Sequence, residues 1–235
     1  MRFSLLKQHN PVMPVFRLSQ EIRFPAPHLA VREGLLAVGG DLSPERLLLA
    51  YRSGIFPWYD EDEPILWWSP DPRMVLLPGD FHVSRRLART LRAFTVTLDT
   101  AFREVIEACA RAPRPGQGGT WIMPEMIEAY TRLHERGYAH SVECRQDGRL
   151  VGGLYGVSLG RCFFGESMFH EVRDASKAAL AALVQRAIEW RFALIDCQVP
   201  NPHLVRLGAR KMRRAEFLKL LEQSLDAPDR IGKWT

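Results

Sequence analysis

The sequence lacks the features that mark membrane-spanning and exported proteins. Uncharged segments such as residues 150–160 are far shorter than the roughly 20 apolar residues that a membrane-spanning helix needs. The first ten residues, MRFSLLKQHN, contain no apolar block of the kind found in secretory signals. We therefore expect no membrane association, and we expect the protein to act in the cytoplasm.

Cysteine is scarce, and its spacing does not suggest a metal site. The four cysteines, which lie in apolar or strand-like surroundings without a Cys-x-x-Cys pair, are Cys109, Cys144, Cys162 and Cys197. We expect buried, reduced thiols and no zinc. The sequence also lacks a glycine-rich loop of the Walker type and a Ser-His-Asp or Cys-His arrangement, so it predicts neither a nucleotide loop nor a covalent nucleophile.

The composition is that of an ordinary globular protein. The chain has 235 residues, of which 46% are hydrophobic and 25% are charged, and this suits one or two domains. Its 32 basic and 27 acidic residues give a net charge of +5. A modest positive charge favours a polyanionic partner without identifying it.

Residues 1–72 are rich in proline, glycine and tryptophan, and they predict loops and short strands. One helix is clear: Ser43 can cap it, Pro44 suits its first turn and Gly54 ends it. The segment WWSPDPR, residues 67–73, is typical of a rigid aromatic connection. We place the boundary of a small N-terminal domain there, between residues 72 and 73.

Residues 73–235 carry a regular succession of helical and strand patterns. Asp147-Gly148 predicts a hairpin turn within a set of three consecutive antiparallel strands. The helix ASKAALAALVQRAIEW and then a buried strand, ALIDCQ, should follow, with that strand beside the other three. Asp99 is placed to cap the helix AFREVIEACA. The predicted fold class is α+β, with a mostly antiparallel mixed sheet in the larger domain.

Basic residues form two clusters. The first has helical spacing and consists of Arg85, Arg86, Arg89 and Arg92; the second consists of Arg206, Arg210, Lys211, Arg213 and Arg214. Clustered guanidinium groups suit phosphate, whose oxygens they bind through paired hydrogen bonds. A basic surface without a ligand explains the same residues equally well at this point.

Tryptophans are concentrated in irregular segments, among them Trp58 after Pro57 and Trp121 in the segment GTWI. Unpaired bases stack on such rings, and each stack is worth about 1–3 kcal/mol. Core packing is the commoner use of a single tryptophan. Several of them in loops rich in glycine or proline favour base stacking.

Polar residues interrupt two strands that are otherwise apolar. Glu166 lies in RCFFGESMF, and Asp196 and Gln198 lie in ALIDCQV. Burying a carboxylate is costly unless the group is paired, so we interpret these residues as parts of a functional cleft. A satisfied structural hydrogen-bond network is the alternative.

Seven blocks between Gly34 and Leu221 are specific enough to compare with a known family. They are GLLAVGGDLSPERLLLAYRSGIFPWY, PILWWSPDPR, GTWI, LVGGLYGV, FFGESMF, ASKAAL and LIDCQVPNPHLVRLGA. In this combination the sequence closely resembles the bacterial leucyl/phenylalanyl-tRNA-protein transferases. The resemblance implies transfer of leucine, phenylalanine or methionine from aminoacyl-tRNA to proteins that begin with arginine or lysine, which marks them for degradation. It also implies no metal or other cofactor, and a larger domain similar in fold to GNAT-type acetyltransferases.

The resemblance also implies roles for individual residues. Tyr51, Trp58 and Trp121 would hold the terminal adenosine of the tRNA, while the two basic clusters bind phosphates of its acceptor arm. The pocket for the transferred side chain would be lined by Leu154, Phe163, Met168 and Ile195. Methionine suits such a pocket because its flexible chain adapts to side chains of different shape.

The implied reaction is the attack of an α-amino group on an aminoacyl ester. The pKa of such an amine is near 7.7–8.0, so a useful fraction is neutral at pH 7 and positioning can supply most of the catalysis. We expect Asp196 to orient Gln198, whose carbonyl oxygen accepts a hydrogen bond from the amine. We expect Glu166 to attract the basic residue of the acceptor. Water and the ribose hydroxyl both remain open as routes for the departing proton.

Two other functions remain open at this point. The glycines of LVGGLYGVSLG would suit an acyl-CoA acetyltransferase, although they lead into a strand rather than into a helix N-terminus that binds pyrophosphate. A non-catalytic RNA-binding protein would use the arginines and tryptophans but would leave Glu166, Asp196 and Gln198 unexplained. For the transferase we expect a monomer, with aminoacyl-tRNA and an acceptor protein as partners.

Overall fold

The structure, a computed structural model, describes residues 15–113 and 120–235. The first fourteen residues of the predicted N-terminal domain therefore lie outside the described ranges, as does Gly119 of the GTWI segment. The described residues form two β-sheets and seven α-helices.

The first sheet has four short strands. They are β1 (Phe16–Leu18), β2 (Leu35–Gly39), β3 (Phe56–Pro57) and β4 (Leu66–Trp68), arranged in the order β1-β2-β4-β3. β1 and β2 are parallel, and the other pairs are antiparallel. The predicted rigid connection therefore begins with a strand, because Trp67 and Trp68 pair with β3. Helix α1 (Pro44–Arg52) begins as predicted, with the Ser43 side chain accepting a hydrogen bond from the third helical residue.

The second sheet has seven strands and is mixed. In chain order they are β5 (Arg73–Leu76), β6 (Thr95–Leu98), β7 (Ala139–Gln146), β8 (Arg149–Leu159), β9 (Cys162–His170), β10 (Leu194–Gln198) and β11 (Arg210–Met212). Their order in the sheet is β11-β5-β10-β9-β8-β7-β6, and only β9 and β10 among these neighbours are parallel. The predicted three-strand meander with a later strand beside it is confirmed. Asp147 and Gly148 form its first turn with φ angles of 51° and 77°.

Helices cover both faces of the second sheet. The remaining helices are α2 (Arg85–Leu91), α3 (Phe102–Arg111), α4 (Pro124–Glu135), α5 (Ala175–Glu189), α6 (Pro202–Val205) and α7 (Arg214–Leu225). One hydrophobic core joins α3, α4 and α7 to α1 and the first sheet. The other core lies under α5 and α2. The α+β class with a mostly antiparallel mixed sheet is thus confirmed, and no helix of the described residues is long and apolar enough to cross a membrane.

The two predicted domains share a core. Trp67 of the first sheet and Tyr155 of the second belong to the same hydrophobic cluster. The first sheet ends at Trp68 and the second begins at Arg73, so the strands change sheets close to the predicted boundary. The division into residues 1–72 and 73–235 stays a prediction.

Asp99 does not cap α3, and that prediction was wrong. The residue has a left-handed φ of 52°, and the helix begins after Ala101 without a side-chain cap. Asp99 is instead buried, where it accepts hydrogen bonds from the main-chain N–H of Ser141 and the ring of His140. Both partners of Asp99 belong to β7, about 40 residues further along the chain, so the local sequence could not indicate them.

Candidate active site

The polar residues of β9 and β10 meet where the pairing of these strands ends. The main-chain ladder between the two strands stops at Phe164 and Asp196. Beyond it, Nε2 of Gln198 donates a hydrogen bond to Oε1 of Glu166 over 2.7 Å. Side chains rather than main chains therefore bridge the gap between the strands at this point.

Both polar positions coincide with irregular strand geometry. The register of β8 and β9 shifts at Glu166, which lies between the paired residues Gly165 and Ser167. The register of β10 with β5 shifts between Asp196 and Gln198, and Gln198 has a φ of 61°. A non-glycine residue in this region costs about 1–3 kcal/mol, and such bulges redirect side chains near functional sites.

Glu166 is buried among neutral hydrogen-bond donors. It is 7% exposed, and the hydroxyl of Tyr130 donates to its Oε2 over 3.1 Å. The hydroxyl of Tyr51 in turn is hydrogen-bonded to that of Tyr130. Burial raises the pKa of Glu166 to about 7, although hydrogen bonds from the two tyrosines and from Gln198 favour the ionised form. Its charge can therefore change near neutral pH.

Asp196 is fully buried and paired with a cation. The guanidinium of Arg73 donates to both of its carboxylate oxygens, over 2.9 and 2.7 Å. Arg73 is also covered by the rings of Phe56 and Phe217, whose centroids lie 4.7 and 4.6 Å from its guanidinium carbon. Asp196 accepts a further hydrogen bond from the main-chain N–H of Gln198 over 2.9 Å. It therefore positions Gln198 through the main chain, while Glu166 holds the amide.

The four predicted pocket residues lie together on the α5 face of the second sheet. Leu154 is directly opposite Met168 in the β8–β9 ladder, and Ile195 is opposite Phe163 in the β9–β10 ladder. All four belong to or pack against one hydrophobic core. Three of them are at most 3% exposed, and Met168 is half-buried.

A glycine creates room for the largest of these side chains. Gly156 faces Phe163, and a Cβ added to Gly156 would lie 2.6 Å from Cε1 of the Phe163 ring. Leu180 and Leu183 of α5 are buried in the same core. Gly156 of LVGGLYGV is thus required for close packing within the sheet.

The three predicted adenosine-binding aromatics differ in exposure. Tyr51 is fully buried, whereas Trp58 and Trp121 are half-buried at the edge of the core. The Trp58 ring lies 6.0 Å from that of Trp68. The Tyr59 hydroxyl donates to Glu125, which links the segment after Trp58 to the segment after Trp121.

The first basic cluster has all four side chains exposed on and just after α2. None of Arg85, Arg86, Arg89 and Arg92 forms an ion pair with a described residue. Arg86 nevertheless acts on Asp174, which precedes α5, and contributes to lowering its pKa after the larger effects of Lys177. The cluster therefore faces solvent and is available to a ligand.

The second basic cluster is partly engaged within the protein. Arg214 donates to the carbonyl oxygen of Ser69 over 2.6 Å, and Arg213 pairs with Glu216. Arg210 lies 3.8 Å from a carboxylate oxygen of Asp80. Arg206 and Lys211 are exposed. Fewer cations are available here than in the first cluster.

The cysteines lack the character of nucleophiles. All four remain thiols, three of them buried and Cys197 half-buried. Burial raises the pKa of Cys144 to about 11 and that of Cys162 to about 12, and it raises the pKa of Cys197 as well. Residues 15–113 and 120–235 also hold no group of three or more His, Cys, Asp or Glu side chains that could bind a metal.

Sequence reasoning missed two residues of this site, Arg73 and Tyr130. Arg73 closes the predicted WWSPDPR segment, and its position at the start of the apolar strand β5 was a signal of burial with a partner. Tyr130 lies on the buried face of α4 with Met126 and Leu133, where it looks like an ordinary core residue. No local pattern distinguishes it.

Comparison with known proteins places the chain beside one family. The family model described as leucyl/phenylalanyl-tRNA protein transferase matches residues 75–222, and the model of the corresponding N-terminal domain matches residues 40–71. Proteins named leucyl/phenylalanyl-tRNA--protein transferase are 59% identical in Desulfatibacillum aliphaticivorans and 58% identical in Solidesulfovibrio magneticus. The first comparison covers 95% of this chain and 97% of the relative, and the second covers 94% and 91%.

Solved structures with some likeness to this chain include N-acetyltransferases. A GCN5-related N-acetyltransferase from Kribbella flavida has a TM-score of 0.37 and 16% identity, with 72% of this chain and 61% of that chain covered. A ribosomal-protein-alanine N-acetyltransferase from Brucella melitensis biovar Abortus 2308 has a TM-score of 0.35 and 19% identity, with 48% and 86% covered.

Proposed function

Since the chain belongs to the leucyl/phenylalanyl-tRNA-protein transferase family, we propose that it transfers leucine or phenylalanine from aminoacyl-tRNA to the α-amino group of a protein. It is an aminoacyltransferase. The preferred acceptors begin with arginine or lysine, methionine is a further donor residue, and the reaction takes place in the cytoplasm on a monomeric enzyme. The observation that carries the proposal is the Glu166–Gln198 pair at the gap between β9 and β10, beside a pocket of four apolar side chains.

The attacking amine is held by Gln198. Because Nε2 of Gln198 donates to Glu166, its Oε1 is left to accept a hydrogen bond from the amine. The amine nitrogen attacks the ester carbonyl carbon, the new C–N bond forms, the bond to the ribose oxygen breaks, and that oxygen ends with the proton of the amine. An amide is too weak a base to keep the proton, so Gln198 acts by positioning.

In its ionised form, Glu166 attracts the cationic acceptor. With its pKa raised to about 7, this carboxyl is partly ionised at neutral pH, and its negative charge favours a cationic acceptor next to the amine site. Ionised Glu166 also fixes the Gln198 amide with its oxygen outward. Transfer should rise with pH as both Glu166 and the acceptor amine lose their protons.

The transferred side chain enters the pocket from the gap between the two strands. The pocket lies on the α5 face, and Tyr130 approaches Glu166 from α4 on the opposite face. We therefore propose that the side chain passes between the two faces at the end of the β9–β10 ladder, where main-chain pairing stops. Leucine and phenylalanine both gain from burial against Leu154, Phe163, Met168 and Ile195.

The tRNA is held by aromatic rings and by exposed arginines. Trp58 and Trp121 offer the partly exposed surfaces on which the terminal adenine stacks, and the buried Tyr51 supports Glu166 through its hydroxyl contact with Tyr130. Phosphates of the acceptor arm bind the four arginines of the first cluster, joined by Arg206 and Lys211 of the second. A KM for aminoacyl-tRNA that did not rise with salt would contradict this part of the proposal.

The proposal is tested by incubating the protein with radiolabelled Leu-tRNA and an Arg-starting peptide, without CoA. We expect label on the peptide. Gln198→Ala should lower kcat about 100-fold while leaving tRNA binding intact, because a positioning contact to the reacting amine is lost. Gln185→Ala, which alters an exposed glutamine of α5, is the matched control and should leave kcat unchanged.

Each rival gives a different result in this assay. Bound tRNA without any transfer would support a non-catalytic RNA-binding protein. Acylation of the peptide that requires acyl-CoA would support an acetyltransferase. Normal turnover by Gln198→Ala would remove Gln198 from the mechanism.

A further inference from the structure

A buried tryptophan that none of the roles above includes contacts Phe163, one of the residues proposed to line the side-chain pocket. Trp234 lies in the segment after α7, is 3% exposed and belongs to the same hydrophobic core as the pocket residues. Its ring centroid is 5.8 Å from that of Phe163, with the ring planes tilted by 43°. Trp234 therefore forms part of the wall behind Phe163.

The indole ring is held on several sides. It stacks on His140, with the ring centroids 3.9 Å apart and the planes within 9° of parallel. The rings of Trp190 and Phe192 lie at 72° to it, with centroids at 4.8 and 6.3 Å. In a close-packed interior, shortening a side chain with these neighbours leaves space that the neighbours can enter.

The main chain around Trp234 is anchored as well. Its N–H donates to Oδ2 of Asp99 over 2.7 Å, and the N–H of Gly232 donates to the carbonyl oxygen of Gly137 over 3.1 Å. His140 is fixed by the same Asp99 oxygen over 2.8 Å. The position of the indole relative to the sheet, and so to Phe163, is thereby determined.

Hydrogen bonding does not explain why a tryptophan occupies this place. Nε1 of Trp234 and Nε2 of His140 are buried, and neither has a hydrogen-bond partner among the described residues. A buried indole N–H usually donates to a partner. What the ring supplies here is bulk next to Phe163.

We propose that Trp234 is a positioning residue that sets the depth of the aminoacyl side-chain pocket by holding Phe163 over Gly156. The inference rests on the proposed function. With a smaller residue at position 234, the Phe163 ring can withdraw toward the space of the indole, and the pocket deepens. A deeper pocket favours phenylalanine over leucine, because the larger side chain buries more apolar surface.

The test compares Phe-tRNA and Leu-tRNA as donors to one Arg-starting peptide. Trp234→Leu should raise the ratio of kcat/KM for Phe-tRNA to that for Leu-tRNA about tenfold. General destabilisation would lower both constants together and leave their ratio unchanged. Trp190→Phe is the control, since Trp190 contacts the indole of Trp234 and has no ring contact with Phe163 among the described residues. It should not change the ratio.

An unchanged ratio in a Trp234→Leu protein that still transfers would overturn the inference. If circular dichroism shows that this variant is unfolded, Trp234→Phe takes its place, because it keeps a ring against His140. A smaller rise in the ratio would then support the inference, and an unchanged ratio would overturn it. Failure of the unmodified protein to transfer either residue would instead contradict the proposed function.

Discussion

Two neighbouring strands of the second sheet each bury a carboxylate, and the surroundings of the two groups are opposite. Asp196 on β10 is fully buried, with both oxygens bound by the guanidinium of Arg73. Glu166 on β9 forms no ion pair with a described residue and is hydrogen-bonded by the neutral side chains of Tyr130 and Gln198. Burial raises the pKa of Glu166 to about 7.

The difference separates a neutralised ion pair from a carboxyl that can change its charge, and only the second has a proposed role in transfer. Arg73 and Asp196 form a buried ion pair. Their charges neutralise each other, and two phenyl rings cover the guanidinium. Glu166 has no such compensation, so its ionised form is destabilised and its charge responds to pH in the physiological range. A buried carboxylate without a cation, next to a gap in a sheet, is the feature on which the proposed site rests.

Removing the cation of the Arg73–Asp196 ion pair should have the largest effect on stability. Arg73→Met leaves Asp196 buried and uncompensated, and we expect a loss of about 3–5 kcal/mol in the free energy of unfolding. Urea unfolding at pH 7 measures it. Arg103→Ala is the control, since Arg103 pairs with exposed glutamates and its loss should be hardly detectable. An equally small loss of unfolding free energy in the two variants would contradict the role of Asp196 as a structural anchor.

Neutralising Glu166, the carboxylate without a cation, should have the opposite effect on stability, and a smaller one. The carboxyl of Glu166 ionises near pH 7 in the folded protein and near 4.5 in the unfolded chain. Between these values the unfolded chain loses its proton first, so the stability of the wild type falls as pH rises. We expect Glu166→Gln to be more stable than the wild type by about 1–3 kcal/mol at pH 8 and no more stable at pH 4.5.

The same variant should transfer less well. Glu166→Gln should raise KM for the Arg-starting peptide more than KM for aminoacyl-tRNA, because the proposed mechanism uses the lost charge to attract the acceptor. Steady-state kinetics at pH 8 separate the two constants. Equal changes in both KM values would rule out this role for Glu166. A gain in the stability of Glu166→Gln at pH 4.5 as large as that at pH 8 would show that the gain does not come from removing a buried charge.

Removing one donor to Glu166 should give the smallest effect. Tyr130→Phe deletes a hydrogen bond to the ionised carboxylate, so the pKa of Glu166 should rise further and the acid limb of the transfer rate should move to higher pH. The loss of stability should be about 1 kcal/mol. Tyr138→Phe, whose hydroxyl has no contact with Glu166 among the described side chains, should keep the wild-type pH profile. An unshifted profile in Tyr130→Phe would mean that the acid limb belongs to another group.

Much of the local structure follows from the sequence. The capped start of α1, the Asp147-Gly148 turn and the three-strand meander were predicted because their signals lie within a few residues of one another. The prediction that Asp99 caps α3 was wrong because its actual partners, Ser141 and His140, are about 40 residues away and leave no local signal. A cap and a long-range acceptor look alike in a local pattern.

The candidate site was predictable in its residue types but not in its connections. Polar residues in apolar strands pointed to Glu166, Asp196 and Gln198, and the structure brings these three together. That Asp196 is neutralised and Glu166 is not could not be read from the pattern. Arg73 reaches Asp196 from 123 residues away because β5 lies beside β10 in the sheet.

The sequence by itself determined most of the helices and strands of the larger sheet, where cations gather, and which strands carry carboxylates, because these depend on residues close in the chain. Only the tertiary structure decided which carboxylate received a cation, which hydroxyls reach Glu166, and that Trp234 packs behind Phe163. Those contacts depend on strand order and on which side chains meet in the interior. The energies that fix them arise from burial shared among distant residues, and no local periodicity encodes them.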